Sequence, residues 1–408
     1  MVPRMTAASR LLTGCTDDVL ANGGIFSKNV TLTTIIAGSL LAAMSCANQS
    51  DKNLYSRIPR VKTDKPVTGP TRLNLEEIRL DFPDSTLSSG RSYSGITPSG
   101  NIYYFDSYTC DMYEFGTDGT FVGKSIGYGR GPQESLVKHC DCFAMSDEGE
   151  IALFGSNLDF EYFSKNRKVA NRFWIHKEGD HASPDDYLSY CEQLHDNVTR
   201  LHDGKMYHGL SSDNPDFSYF FTNDQYIKDS YRVGVIDMTT GKALPPIIKG
   251  FPEIYESDPF KYTVFDGVAF DFDKNGNIYL GFQADSMIYV FNKDLKPEKA
   301  FGTAGSDMDM SYYRIQTMDD TKYFEPNVTT KGFYSWIEYI DETGICFRSY
   351  KKGIHSQYDG LQIYKDGRLT ADTEVPKGLI VTGYSAPYYY SQVCDANDRF
   401  LVYRFRLD

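Results

Sequence analysis

The sequence predicts an all-β protein, a six-bladed β-propeller whose last blade is closed by an N-terminal strand. Three observations predict it. A Gly-Asn-Ile-Tyr segment recurs with the same downstream aromatic spacing, polar turns punctuate the copies, and the last copy is too short to complete a sheet. Length alone, at 408 residues, suggests two or three domains. Self-similarity at a fixed period takes precedence over length, and it replaces that count with one ring of repeats.

Residues 1–45 read as a signal region. Lys28 precedes the sixteen uncharged, mostly apolar residues Val30–Ser45, and Cys46 follows directly. That run is short for a bilayer span, which takes about 20 residues, and it has the shape of the apolar core of a secretory signal. A cysteine in this place resembles the bacterial lipoprotein signal, which implies that Cys46 is the lipidated first residue of the mature chain. Ala43 stands where such signals usually carry Leu. Residues 1–27 are a polar extension bearing Asp17 and Asp18, and an upstream-shifted start codon accounts for them. Residues 46–71 are hydrophilic, with Pro, Lys and Arg, and read as a tether. Only Asp51 stands in for the acidic cluster that marks surface export in such lipoproteins, so periplasm-facing and surface-exposed orientations both stay open.

The propeller is expected over 72–408. Gly100-Asn-Ile-Tyr and Gly276-Asn-Ile-Tyr both place Tyr and Phe thirteen and fifteen residues after the Gly, and weaker copies begin at Gly149, Gly204, Gly344 and Asp398. A polar turn ahead of alternating apolar residues is the hairpin-into-strand signal. A second turn follows at Asp118-Gly119, Lys165-Asn166, Lys293-Asp294 and Asp366-Gly367, and the third copy delays its own to Thr240-Gly241 around an aromatic-rich insertion at 211–231. Two hairpins per repeat make a four-stranded sheet, and six sheets average about 56 residues each. After Arg399–Leu407 no second hairpin remains. An incomplete blade leaves edges exposed, so Leu73–Phe82 is expected to pair into the last blade and close the ring.

Composition excludes other classes. With 31 Tyr and 26 Phe the chain carries too much buryable surface for disorder, and 41% hydrophobic residues with one short apolar run do not make a polytopic membrane protein. A net charge of −13 excludes a nucleic-acid binder, which needs a basic surface. The segment Gly127-Tyr-Gly-Arg-Gly-Pro-Gln-Glu134, after Phe115-Gly-Thr-Asp-Gly-Thr-Phe-Val-Gly-Lys-Ser-Ile126, resembles the blade junction of Bacteroidetes six-bladed β-propeller lipoproteins, relatives in architecture of NHL-repeat and TolB-like propellers. The counterpart at Phe301–Gly305 lacks the Pro-x-Glu. The resemblance covers 72–408 and implies fold and compartment more than function.

Connections between blades cross one face to the channel mouth. They are expected at 127–137, 250–262, 302–313 and 378–388, and supply a candidate ligand-binding face of Tyr128, Arg130, Glu134, Tyr255, Glu256, Asp258, Tyr312, Tyr313, Tyr384 and Tyr388. Tyrosine offers both a stacking face and a hydroxyl, although aromatics are also ordinary strand residues. Asp271, Asp273 and Asn275 copy the start of a calcium loop, but Phe282 stands where the bidentate Glu is needed, and Asn275-Gly276 is explained as a hairpin turn. They are a weak metal candidate only.

Gly123-Lys-Ser-Ile-Gly127 has the spacing of a nucleophile elbow but no helix after it. His139-Cys-Asp-Cys142 reads as buried thiols rather than zinc, since strand alternation separates His139 from both cysteines. Cross-strand disulfides among Cys110, Cys140, Cys142, Cys191, Cys346 and Cys394 stay open. No catalytic residues and no cofactor are expected. The sequence therefore reads as a non-enzymatic binding or scaffolding module for a glycan, peptide or partner protein. It is expected to be an outer-membrane lipoprotein in the cell envelope, held to the membrane by its lipid anchor alone. The alternative is a metal-dependent hydrolase or lactonase with a channel-centred site, to which Glu134, Asp258 and Asp266 are the candidate contributors.

Overall fold

Six small antiparallel sheets follow one another along the chain, as the turn spacing requires. The computed structural model describes residues 53–62 and 73–407, apart from 85, 87, 177–182, 194–197, 213–223 and 396–399. The signal region 1–45 and Cys46 lie outside the described residues. Blade 4 shows the unit: Val268–Phe272, Ile278–Phe282, Ile288–Phe291 and Pro297–Phe301 pair in sequence order. Its second strand is buried at every position, as is Ile151–Gly155 in blade 2. Each blade is covered by a neighbour on both sides, so these second strands are apolar throughout instead of alternating. The turns that the repeat marked are tight hairpins, with Gly149 and Gly276 at φ 87° and 77°, a region that glycine enters without steric penalty.

The innermost strands of blades 1 to 6 are Ser92–Ile96, Cys140–Met145, Thr199–His202, Val268–Phe272, Phe333–Ile340 and Val381–Ser385. Every blade begins at its inner strand and alternates direction outward. First-to-second and third-to-fourth strand turns therefore share one face, the turn face. Second-to-third loops and the connections between blades share the other, the loop face. Short helices at Glu253–Ser257, Pro259–Tyr262 and Phe324–Thr330 lie in the connections.

Closure by the N-terminal strand is borne out. Glu76–Arg79 pairs antiparallel with Phe400–Phe405, with Glu76 opposite Arg404 and Ile78 opposite Val402, and Arg404 Nη2 lies 2.8 Å from Glu76 Oε2. Phe82 then packs edge-on against Tyr104 and Phe115 of blade 1 and Phe400 of blade 6, which pins the seam from both sides. The phase of the last repeat differs from the sequence reading. The copy read from Asp398, a position outside the described residues, comes just before the third strand of blade 6, Phe400–Phe405, whereas the first turn of blade 6 is Ser385-Ala386-Pro387-Tyr388, which has no glycine to mark it. Blade 6 thus lacks one strand, and one N-terminal strand completes it.

The described part of the stretch read as a tether is docked. Tyr55 and Ile58 are buried. The Tyr55 ring packs against Phe282 and Tyr289, and its hydroxyl donates to Gly250 O at 3.1 Å. Arg60 bridges Ala300 in parallel, so the segment extends the outer edge of blade 4. Burying an aromatic ring and its hydroxyl together outweighs the freedom that a hydrophilic stretch would otherwise keep.

Candidate functional site

The inner strands enclose a cavity of about 1070 Å³ along the propeller axis, lined from all six blades. Its centre is an ionic hub. Arg200, on the inner strand of blade 3, donates from Nε to Asp271 Oδ1 of blade 4 at 2.7 Å and from Nη2 to Glu338 Oε2 of blade 5 at 3.0 Å. Its Nη2 also reaches Ile337 O at 2.7 Å, and the guanidinium lies 4.3 Å from the centre of the Trp336 ring. The second oxygen of Asp271 accepts from Tyr339 N at 2.7 Å, and the Trp336 indole donates across to Val381 O of blade 6 at 2.8 Å. Four consecutive blades are therefore linked through one guanidinium and one indole. Tyr103 of blade 1 reaches the same centre across Gly95, where a Cβ would stand 2.8 Å from Thr382 O and 3.0 Å from the Tyr103 hydroxyl.

Burial dominates the electrostatics. It pushes the Glu338 carboxyl up to about 8, against the pull of Arg200 and with the Asp271 charge adding to the rise. At the turn-face mouth, Asp147 of blade 2 is pushed above the usual carboxylate range by burial and then by Asp271, Asp341 and Glu342. Asp341 is raised too, by burial first, with Asp273 adding and the Lys274 backbone amide opposing. These carboxylates line the same cavity as Lys274 and His202.

The residues expected on a single binding face are placed apart. Tyr255 and Tyr312 are core residues, their hydroxyls donating to Phe265 O at 2.6 Å and Gly332 O at 2.7 Å. Asp258 pairs with Arg314 at 2.8 Å, Glu256 accepts from Asn53 at 2.8 Å, and Glu134 accepts from Gly131 N at 2.6 Å. Tyr128, Arg130 and Tyr313 are exposed on the loop face, Tyr313 stacked on Tyr323. Tyr384 and Tyr388 flank the first turn of blade 6 and so belong to the opposite face, because 381–385 is a strand and not part of a connection. Tyr384 lines the cavity, and Tyr388 lies under Arg404 and Arg406.

Asp271, Asp273 and Asn275 do not converge either. Asp271 is committed to Arg200 and Tyr339, while Asp273 caps its own turn by accepting from Asn275 N and Asn277 N, both at 2.9 Å. Asp266 sits on a third site, accepting from Ser211 and Tyr226 beside the buried Arg232. Among the described residues no three His, Cys, Asp or Glu side chains gather in a metal-holding arrangement. The cationic position between Asp271 and Glu338 is filled by Arg200, so the residues present do not fit a channel metal. The six described cysteines are free thiols, and Cys140 and Cys142 are buried. Gly123–Gly127 lies within the strand Phe121–Tyr128.

No protein-family model and no curated protein matches the chain. Among solved structures it is similar to a member of the DUF4221 family from Bacteroides vulgatus, with TM-score 0.58, 12% identity, 82% of this chain covered and 96% of that one. It is also similar to a Bacteroides fragilis protein, with TM-score 0.49, 14% identity and coverages of 86% and 99%. A third likeness is virginiamycin B lyase from Staphylococcus aureus, with TM-score 0.40, 10% identity and coverages of 83% and 100%. At such identities the likeness is one of fold, and the Bacteroides propeller resemblance read from the blade junction is borne out at that level.

Proposed function

We propose that this chain is a lipid-anchored propeller of the cell envelope that binds a peptide, glycan or partner-protein segment in its central channel. The observation that carries the reading is the cavity of about 1070 Å³, which all six blades line with aromatic rings and charged groups. Concave sites with a few convergent polar groups among aromatics are where ligands are held, and propellers present them on a rigid frame. The hub that fills the metal position favours binding over metal-dependent hydrolysis. Lipidation at Cys46 is carried by the sequence signal alone.

Two experiments test this. Thermal-shift titration of the mature protein against glycan and peptide sets is expected to yield ligands whose effect persists in Tyr128→Ala and Tyr313→Ala and is lost in Tyr384→Ala. The reverse pattern moves the site to the loop face. For the anchor, Cys46→Ala is expected to release the protein from the membrane fraction and to abolish incorporation of labelled palmitate. A protein that stays lipid-labelled without Cys46 overturns it.

A further inference from the structure

The exposed apolar surface is divided unevenly between the two faces. Among the described residues, every exposed large apolar side chain except Phe121, Val122 and Leu295 lies on the loop face or on the segment docked beside it. Five of them are aromatic with a polar end. Tyr108 and Tyr128 belong to blade 1, Trp174 ends the outer strand of blade 2, and Tyr313 and Tyr358 sit over blade 5, all 44–60% exposed. The hairpin tips of the turn face are charged instead, with Asp118, Lys165, Lys274, Lys293 and Asp366 exposed. Tyrosine and tryptophan are the side chains that gather where a membrane meets water, one end apolar and the other wet.

A second, independent observation says what covers that face. Asn53, where the docked segment begins, donates from its side-chain amide to Phe251 O and to Glu256 Oε1, both at 2.8 Å, on the connection between blades 3 and 4. Cys46 stands seven residues before Asn53 in the sequence, a reach of about 25 Å at full extension. Strands of five to eight residues, such as Val268–Phe272 and Phe333–Ile340, set the two faces about 17–27 Å apart. An anchor at Cys46 therefore meets a bilayer from the loop face with slack to spare, and from the turn face only with the chain fully drawn out. Tethering at that range gives an effective concentration of millimolar order, at which weak interfacial contacts are populated. Lipid charge is not needed for the contact. Arg314 is paired with Asp258 at 2.8 Å and Lys331 with Asp309 at 3.1 Å on the same face.

We propose that the loop face rests on the lipid surface of the membrane that carries the anchor, its exposed aromatic rings at headgroup level and the turn-face mouth of the channel directed away from the bilayer. This rests on the Cys46 anchor proposed above and adds which surface of the propeller meets the lipid.

The chain has two tryptophans, and they report on opposite cases. Trp174 is on the loop face, and Trp336 lines the channel. The lipidated protein is reconstituted in phosphatidylcholine vesicles, either plain or brominated near the top of the acyl chains. Emission of the parent minus that of Trp174→Phe gives Trp174 alone. In the Trp174→Phe background, Tyr313→Trp places a reporter elsewhere on the loop face and Leu295→Trp places one on the turn face. Brominated lipid is expected to remove most of the emission of Trp174 and of Tyr313→Trp, and to leave Leu295→Trp and Trp336 unchanged. The quenching should survive high salt, which screens exposed charge pairs and spares apolar contacts.

Equal quenching of Trp174 and Leu295→Trp overturns the inference, as does quenching of neither, the result expected if the loop face is reserved for a protein partner. Quenching abolished by high salt overturns it too. A Cys46→Ala mature chain held to nickel-chelating lipid by an N-terminal hexahistidine separates the face from the anchor. Selective quenching there, with no lipid label on Cys46 in cells, upholds the face and overturns the anchor. Lipid label on Cys46 without selective quenching overturns the face alone.

Discussion

The two faces of the ring use the same kinds of residue to opposite ends. On the loop face, carboxylates and tyrosines are spent on the structure. Asp309 is held below the usual carboxylate range by the Ser311 hydroxyl and backbone amide and by Lys331, Asp258 is paired with Arg314, and Tyr255 and Tyr312 have their hydroxyls on backbone carbonyls. At the turn-face mouth, Asp147 and Asp341 are held above the usual range by burial and by their own neighbours. A carboxylate with donors around it stabilises its surroundings, and one pressed among other carboxylates does not. Acidic and aromatic composition alone therefore does not locate a site. What distinguishes the mouth is that burial and like charge outweigh the His202 and Lys274 groups that oppose them.

Between the faces lies the hub, and breaking it has the largest expected effect. Arg200→Met removes the cation shared by Asp271 and Glu338 and leaves buried acceptors without their donor. A loss of about 3–5 kcal/mol is expected, read as a fall in the denaturant midpoint. Arg200→Lys is expected to recover little of it, because an ammonium cannot make the forked contacts to Asp271, Glu338 and Ile337 O at once. A hub of purely local importance would instead leave the midpoint of Arg200→Met within about 1 kcal/mol of the parent.

Glu338 sharpens the same contrast through pH. Its folded carboxyl is raised from an ordinary value of 4.5 to about 8, so between those limits the native state holds more protons than the unfolded chain. Stability attributable to this group is then present below its unfolded value and lost as pH rises toward about 8, the reverse of a salt-bridged carboxylate. Glu338→Gln keeps an isosteric polar group without the titration. The parent's melting temperature should fall relative to Glu338→Gln across that window, and parallel curves would show that Glu338 is ionised in the fold throughout it.

How far these features were legible in the sequence follows from what marks them. Turn glycines at positive φ are obligatory and local, so the blade count and the closing strand could be read directly. The first turn of blade 6 carries Ala386-Pro387 in place of glycine, and the repeat slipped out of phase there. The docking of Tyr55 was hidden because its partners lie about 200 residues downstream and its own neighbourhood is hydrophilic. The hub was hidden for the same reason, since Arg200 is separated from Asp271 by 71 residues and from Glu338 by 138. A local signal did exist. Asp271 interrupts Val268-Ala-Phe-Asp-Phe272 and Arg200 interrupts Val198-Thr-Arg-Leu201, charges within otherwise apolar inner strands, and a buried charge in a strand demands a partner.

On the loop face, Tyr255→Phe removes one hydroxyl that donates to Phe265 O and accepts from Ala284 N at 3.0 Å. Two buried backbone groups lose their partner, and a cost of about 1–3 kcal/mol is expected. The Trp336 response to a channel ligand should be unchanged. A loss of that response with intact stability would make Tyr255 part of the site and dissolve the division between the faces.

The smallest effect is the most discriminating. Asp147 and Asp341 repel each other's neighbours at the mouth, so replacing both with Asn relieves a folded-state penalty instead of removing an interaction. Asp147 is solvent-exposed, which screens the gain. Stabilisation of about 0.5 kcal/mol or less is therefore expected, a rise of one or two degrees at most in melting temperature, reduced further at high salt. The corresponding change on the loop face, Asp309→Asn, has the opposite sign, because it weakens contacts to Ser311 and Lys331. Uncompensated charge that persists at a cost in stability is the mark of a residue kept for binding rather than for the fold. If the mouth pair destabilises the protein as Asp309→Asn does, those carboxylates have structural partners after all, and the two faces are alike.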